Sequence, residues 1–397
     1  MRSCHYTITA SQVHDHAARH LQTYLRLGDH GRKCSATVVL AVLFWAAARV
    51  ASLAAACAAL TKAPCDQAIR DALLATLPAH ADLQRRLNRA LAGDLPKALY
   101  RRAQEIAIDL TLLPYYGQPQ ADPKELYRGP EKAGTKHFHA YATAYVLFQG
   151  CRYSLALRAV HHSDPWETVV GDLLRQVRKA GVKVRLLLLD RGFYSVAVIR
   201  YLQAARCPFI MPVIRRGRKP NDPKGASGTW AFTTWKRSGW ACYTLEDKQR
   251  RHATVTIAVC RHRLPEQTRS GRRLKGRRQK VWLYAVWGLP QRSVAWVRET
   301  YRRRFGIESS YRQLNQTRIR TSSRSPLLRL LFVGLALVLR NEWVWLHWQV
   351  LAAKRRGKRR VDLNQLPLRA LLHWLQEVVE AFLGVNRSVS SERPWKT

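Results

Sequence analysis

The sequence predicts a mixed α/β protein: an all-α N-terminal domain, a mixed sheet flanked by helices, and a β-rich insertion late in that sheet. Three observations predict it. Residues 11–91 are rich in Ala and Leu, with turn signals at Gly28-Asp29-His30-Gly31 and Lys62-Ala63-Pro64. Between Glu105 and Val213 the pattern runs three strands, helix, strand, helix, strand. From Arg215 to Lys280, 19 Lys and Arg meet four acids around Trp230, Trp235 and Trp240. A chain of 397 residues with 47% hydrophobic content can bury more than one core, so two or three structural units are expected. The boundaries drawn are 1–98, 99–352 with an insertion at 214–283, and 353–397.

The N-terminal segment reads as about four helices. Asp66 after Pro64 opens what is either the second helix of a helix-turn-helix or one member of a plain bundle. Glu105-Ile106-Ala107-Ile108-Asp109 is an apolar strand expected to end in its acid, and Tyr141–Phe148 and Tyr153–Val160 follow as an antiparallel pair. Asp164-Pro165-Trp166-Glu167 predicts a capped helix running to about Lys179. The continuous apolar run Val184–Leu189 reads as a strand buried on both faces and ends at Asp190. A helix from Arg191 to about Ala204 and a strand over Pro208–Val213 complete the order of a ribonuclease-H-like core.

In the insertion, Tyr243–Leu245 and Thr254–Val259 predict a hairpin, and Arg272–Arg278 a basic loop. Cations interleaved with aromatics suit phosphates and unpaired bases. Beyond it come a helix carrying Tyr301, Arg304 and Glu308 on one face, a helix from Pro326, the basic linker Lys354–Arg360 and a final helix over Asp362–Leu383.

Charge names the class of partner. The 68 Lys and Arg against 26 Asp and Glu give a net charge of +42, which points to a polyanion and, in a folded chain with 13 Trp, to DNA. The eight cysteines form no CxxC pair, so they read as reduced, mostly buried thiols. The apolar runs Val38–Ala48 and Leu330–Leu339 are about half the roughly 20 residues that cross a bilayer, so they read as buried helices and no membrane partner is expected. The polar start carries no signal core, so a cytoplasmic location is expected.

Three acids carry the candidate chemistry. Asp109 and Asp190 follow apolar strands, which can present both at one sheet edge, while a late helix brings Glu308 to them. Three convergent carboxylates make a hard-oxygen site for two Mg²⁺ or Mn²⁺ ions, which suit phosphodiester exchange. His137, His139, His161 and His162 read as core or hairpin residues, not as ligands.

Ile108-Asp109-Leu110-Thr111 with Tyr115-Tyr116-Gly117, Asp190-Arg191-Gly192-Phe193-Tyr194, and Tyr301-x2-Arg304-x3-Glu308 resemble the DDE insertion-sequence transposases of the IS-four superfamily, over roughly Glu105 to Trp348. The resemblance implies a ribonuclease-H-like catalytic domain and metal-dependent cut-and-paste DNA transposition. In it Asp109, Asp190 and Glu308 are catalytic and hold the metal ions, and Tyr301 and Arg304 hold phosphate, with Arg191 as a further DNA contact. The implied partners are the terminal inverted repeats and target DNA, with a homodimer on DNA at the nucleoid of a prokaryote. One position departs from the pattern: Asn315 stands where the family carries a lysine seven residues after the glutamate, and Arg312 is the preferred substitute. The alternatives are an inactive or domesticated DNA-binding protein of the same fold and a metal-dependent nuclease.

Overall fold

In a computed structural model the structure describes residues 7–120, 122–148, 151–263, 279–290, 292–304, 315–354 and 359–386. Five helices open the chain: α1 (Ala10–Leu25), α2 (Ala36–Arg49), α3 (Leu53–Ala59), α4 (Asp66–Thr76) and α5 (His80–Gly93). Each start has a local cause. Thr9 and Gln12 form a capping box on α1, and the hydroxyls of Ser35 and Ser52 accept from Val38 and Ala55 at the starts of α2 and α3. A short turn, α6 (Ala98–Arg101), leads into the sheet.

The sheet has nine strands: β1 (Gln104–Pro114), β2 (Tyr127–Lys132), β3 (Thr135–Phe148), β4 (Cys151–Val160), β5 (Val184–Leu189), β6 (Phe209–Pro212), β7 (Gly239–Glu246), β8 (His252–Arg263) and β9 (Gln279–Trp287). Strands β4, β3, β1, β5 and β6 lie side by side, with β1, β5 and β6 mutually parallel and β3 antiparallel to both its long neighbours. This is the ribonuclease-H-like arrangement expected from the order of elements. The insertion extends that same sheet, because β9 pairs antiparallel with β6, and β8 and β7 follow outward.

Three differences from expectation have clear causes. β1 does not stop at Asp109: its pairing with β3 continues to Pro114, past the point where β5 ends. The acid therefore sits mid-strand, opposite Thr143. Helix α7 (Trp166–Lys179) starts without the Asp164 cap, because that carboxylate instead accepts from the His161 N–H and pairs with Arg158. After β5 the chain makes a 3-10 turn over Arg191–Phe193, and α8 (Val196–Ala204) begins only where Ser195 caps the Val198 N–H.

Strand parity divides the sheet into two faces. Ile106, Ile108, Leu187, Leu189, Phe209 and Met211 face the large core shared with α1, α5, α7 and the long helix α10 (Pro326–Leu346). Ala107, Leu186, Leu188, Ile210, Ala258 and Tyr284 face a smaller core, closed by Val297 and Tyr301 of α9 (Val294–Arg303). The last helix, α11 (Leu368–Leu383), packs on α1 and α2. Both apolar runs lie in mostly buried helices, and among the described residues no single helix is long and apolar enough to cross a membrane.

The free edge of β4 is closed by side-chain amides. Asn341 on α10 accepts from the Ser154 N–H and donates to its carbonyl, Asn88 on α5 does the same for Leu157, and Gln84 accepts from the Ala159 N–H. Helices thus supply the hydrogen bonds that a further strand would. Helices α5 and α10 approach closely at Gly334, where a Cβ would stand 2.4 Å from the Leu87 side chain.

Candidate active site

The site is set by strand register. Ile108 and Leu189 are the last paired residues of parallel β1 and β5, so Asp109 and Asp190 come next on adjacent strands. Both belong to the parity that faces α9, which is why two acids 81 positions apart share one face. Asp109 is 8% exposed, and its Oδ1 accepts from the Leu110 N–H at 2.9 Å. The Asp190 side chain is 49% exposed and opens toward solvent where β5 ends.

Arg304, directly after α9, ties them together. Its Nη2 lies 3.1 Å from Asp109 Oδ1 and its Nη1 lies 3.4 Å from Asp190 Oδ1. Nη1 also donates to the Tyr301 hydroxyl at 3.1 Å, and that hydroxyl donates to the Leu189 carbonyl at 3.1 Å. Burial opposes the guanidinium's charge, but the Tyr301 phenolic oxygen and the two carboxylates around it raise its pKa on balance, so it stays cationic. The Nε is buried without a hydrogen-bond partner among the described residues, leaving one donor for a further acceptor.

The surroundings of the expected site residues differ. Tyr301 is 1% exposed and is held inside the smaller core, where its hydroxyl donates to the last residue of β5. Arg304 likewise meets the carboxylates, not a surface. Arg191 is exposed on the turn after Asp190. Asn315 is exposed. Glu308 and Arg312 lie outside the described residues.

Sequence reading assigned no role to several neighbours. Glu105, of the same parity as Asp109, accepts from Arg185 at 2.6 Å and lies 3.6 Å from Arg303, so consecutive arginines at the end of α9 grip two acids two strand repeats apart. Next to Asp109, Thr143 accepts from Arg152, whose guanidinium lies 3.5 Å from the Tyr145 ring centroid. The signal for Glu105 was its spacing of four from Asp109 in a strand. Nothing local in the sequence marks Arg152.

The donor set fits a hard divalent cation. Two carboxylates carry two negative charges, Arg304 balances one, and the solvent-facing Asp190 leaves the pair reachable.

Residues 100–341 match the family described as Transposase DDE domain. In structure the chain is similar to the piggyBac transposase of a synaptic complex with hairpin DNA, at a TM-score of 0.55 and 10% identity, over 96% of this chain and 82% of that one. At that identity the likeness is one of fold. None of the curated proteins matches the chain.

Proposed function

Because the chain belongs to the transposase DDE domain family, we propose that it cleaves DNA at the ends of an insertion sequence and joins them to a target in a cut-and-paste reaction. The observation that supports this most is the meeting of Asp109 and Asp190 on one face of the sheet, bridged by Arg304. Asp109, Asp190 and Glu308 would hold Mg²⁺ or Mn²⁺, which when bound would activate a water or 3′-hydroxyl and stabilise the departing oxygen.

The chain's own residues supply the positioning. Asp109 is fixed by the Leu110 N–H and by Arg304, and a buried carboxylate so held loses little freedom when it takes a ligand. Tyr301 holds the backbone from which Asp190 projects. Arg191 and the basic surface of the insertion contact the DNA backbone, and a net charge of +42 makes that binding strongly salt-dependent. The DNA partners proposed are the element's inverted repeats and the target duplex, with a homodimer pairing the two ends.

The test is cleavage of a duplex carrying the inverted repeats that flank the coding region, in Mg²⁺, with a labelled target to capture joined products. Asp109→Asn and Asp190→Asn abolish nicking and joining while still shifting the duplex in a gel. Undiminished cleavage by either variant overturns the site, and cleavage without joined products reduces the protein to a nuclease.

A further inference from the structure

We propose that His16, His20, Asp94 and Glu342 form a binding site for a divalent transition-metal cation of the zinc class, separate from the Asp109 and Asp190 pair. The four side chains come from α1, from the residue that ends α5 and from α10. His20 Nδ1 lies 2.9 Å from Asp94 Oδ2 and 3.6 Å from Glu342 Oε1. His16 Nδ1 lies 2.9 Å from Glu342 Oε2, and its Nε2 lies 3.8 Å from Asp94 Oδ2. Donor atoms of His16, Asp94 and Glu342 all fall within 4.8 Å of one another.

The tautomer of His20 makes this more than a polar contact. Its Nε2 lies 2.9 Å from the Ala90 carbonyl, which can only accept, so Nε2 carries the proton. Nδ1, which faces the two carboxylates, is then either a second N–H of the charged ring or a lone pair of the neutral one. Three lone-pair atoms cannot bond to one another, so a cation belongs among them.

That cation is either a proton on each imidazole or one divalent ion. Glu342 is 5% exposed, so its charge needs compensation at short range. Protons alone balance both carboxylates only if both imidazoles are charged, and these rings are stacked with centroids 6.5 Å apart. One divalent ion balances both with the imidazoles neutral. Two imidazole nitrogens and two carboxylate oxygens are also a zinc donor set.

The geometry suits a four-coordinate ion. Around zinc with bonds of about 2.0 to 2.2 Å, donors lie about 3.3 to 3.6 Å apart; His20 Nδ1 lies 2.9 and 3.6 Å from the two carboxylates, and one nitrogen of His16 falls within 4.8 Å of both. Both rings are fixed from outside the cluster, His20 by the Ala90 carbonyl and His16 by stacking on Trp345 at 4.2 Å. Such outer contacts set the direction of a ligating imidazole. A bound ion would fasten α1 to α10, the helix that also seals β4.

The test uses untagged full-length protein carrying Asp109→Asn and Asp190→Asn, so that the carboxylates of the proposed catalytic pair do not contribute. After chelation it is titrated with Co²⁺ and then Zn²⁺. One equivalent of Co²⁺ should give the visible absorption of a four-coordinate ion without a thiolate charge-transfer band, and Zn²⁺ should displace it and raise Tm. His20→Gln in this background should weaken Zn²⁺ binding at least about ten-fold. Because His20 is buried, the half-buried His16→Gln serves as a second variant, with circular dichroism confirming that it is folded. Absence of stoichiometric Co²⁺ and Zn²⁺ binding by the folded background protein, or unchanged binding in the folded variants, overturns the proposal and leaves a cluster held by protons alone.

Discussion

The hydroxyl of Tyr301 donates to the backbone carbonyl of Leu189 at 3.1 Å, which fixes the residue immediately before Asp190 from the opposite layer of the protein. Tyr301→Phe removes that bond and leaves a buried carbonyl short of a partner, at about 1 to 3 kcal/mol. We expect a fully folded variant with a modestly lower denaturation midpoint and a cleavage rate reduced by roughly ten-fold or more, since Asp190 loses its support. Duplex affinity should not change, because the ring is buried. A loss confined to DNA binding, seen by gel shift, would show that the tyrosine contacts DNA after all.

Arg304 is the cation that the described residues place between Asp109 and Asp190. Arg304→Gln leaves two facing carboxylates with no fixed counter-charge, so metal-free protein should be less stable and cleavage should fall on the order of 10²-fold. The sign of the metal effect is the sharper check. The site then carries one more negative charge, so Mg²⁺ should raise Tm more in the variant than in the parent. An equal or smaller rise would mean that Arg304 and the metal do not share the carboxylates.

Asn341 supplies two hydrogen bonds to Ser154, at 2.9 and 2.7 Å, in place of a neighbouring strand. Asn341→Leu is nearly isosteric but leaves a buried N–H and carbonyl unpaired, and should cost about 2 to 4 kcal/mol in a urea melt. Asn88→Leu should behave alike, because Asn88 repeats the arrangement at Leu157. Hydrogen exchange should accelerate at Ser154 in the Asn341 variant, and at Leu157 in the Asn88 variant, before the rest of β4. Uniform exchange across the strand would show that the amides do not hold the edge.

Burial, with the cation of Arg329 nearby, pushes the pKa of His139 down to about 3 from 6.5. The imidazole is neutral in the fold, whereas the unfolded chain takes up a proton below about 6.5, so this residue lowers stability as pH falls from there toward 3. The slope approaches about 1.4 kcal/mol per pH unit where only the unfolded form is protonated. His139→Phe should flatten the acid limb of a stability-against-pH curve measured between pH 6 and pH 4. An unchanged limb would place the acid sensitivity in other groups.

Much of the fold could be read from local pattern because its elements are locally determined. The run Val184–Leu189 and the hairpin of the insertion each carry their own period and stop signals, and both formed where those signals lay. The roles of Tyr301 and Arg304 could not be read in the same way. One helix face holds both, but whether that face meets DNA or a sheet depends on which layer covers Ala107 and Leu188, a tertiary fact with no local trace. Asp109 at mid-strand has a similar origin: β1 outruns β5 because β3 continues to pair with it, and pairing lengths are set by partners, not by the strand's own residues. The amide seal on β4 was hidden because Asn88 and Asn341 sit in otherwise ordinary helical sequence.

Helix α10 has one more consequence, and it concerns time. Asn341 also donates to the Leu91 carbonyl, across 250 positions of chain. During synthesis at about 5 to 20 residues per second, α5 waits roughly 12 to 50 s, and β4 roughly 9 to 37 s, for the helix that covers them. The first helices of the nascent chain therefore spend that interval with an apolar flank open to the solvent, and a ribosome that stalls before Pro326 releases a chain suited to chaperones and proteases. For this protein, closure of the core waits on a helix made some 250 residues after the one it covers.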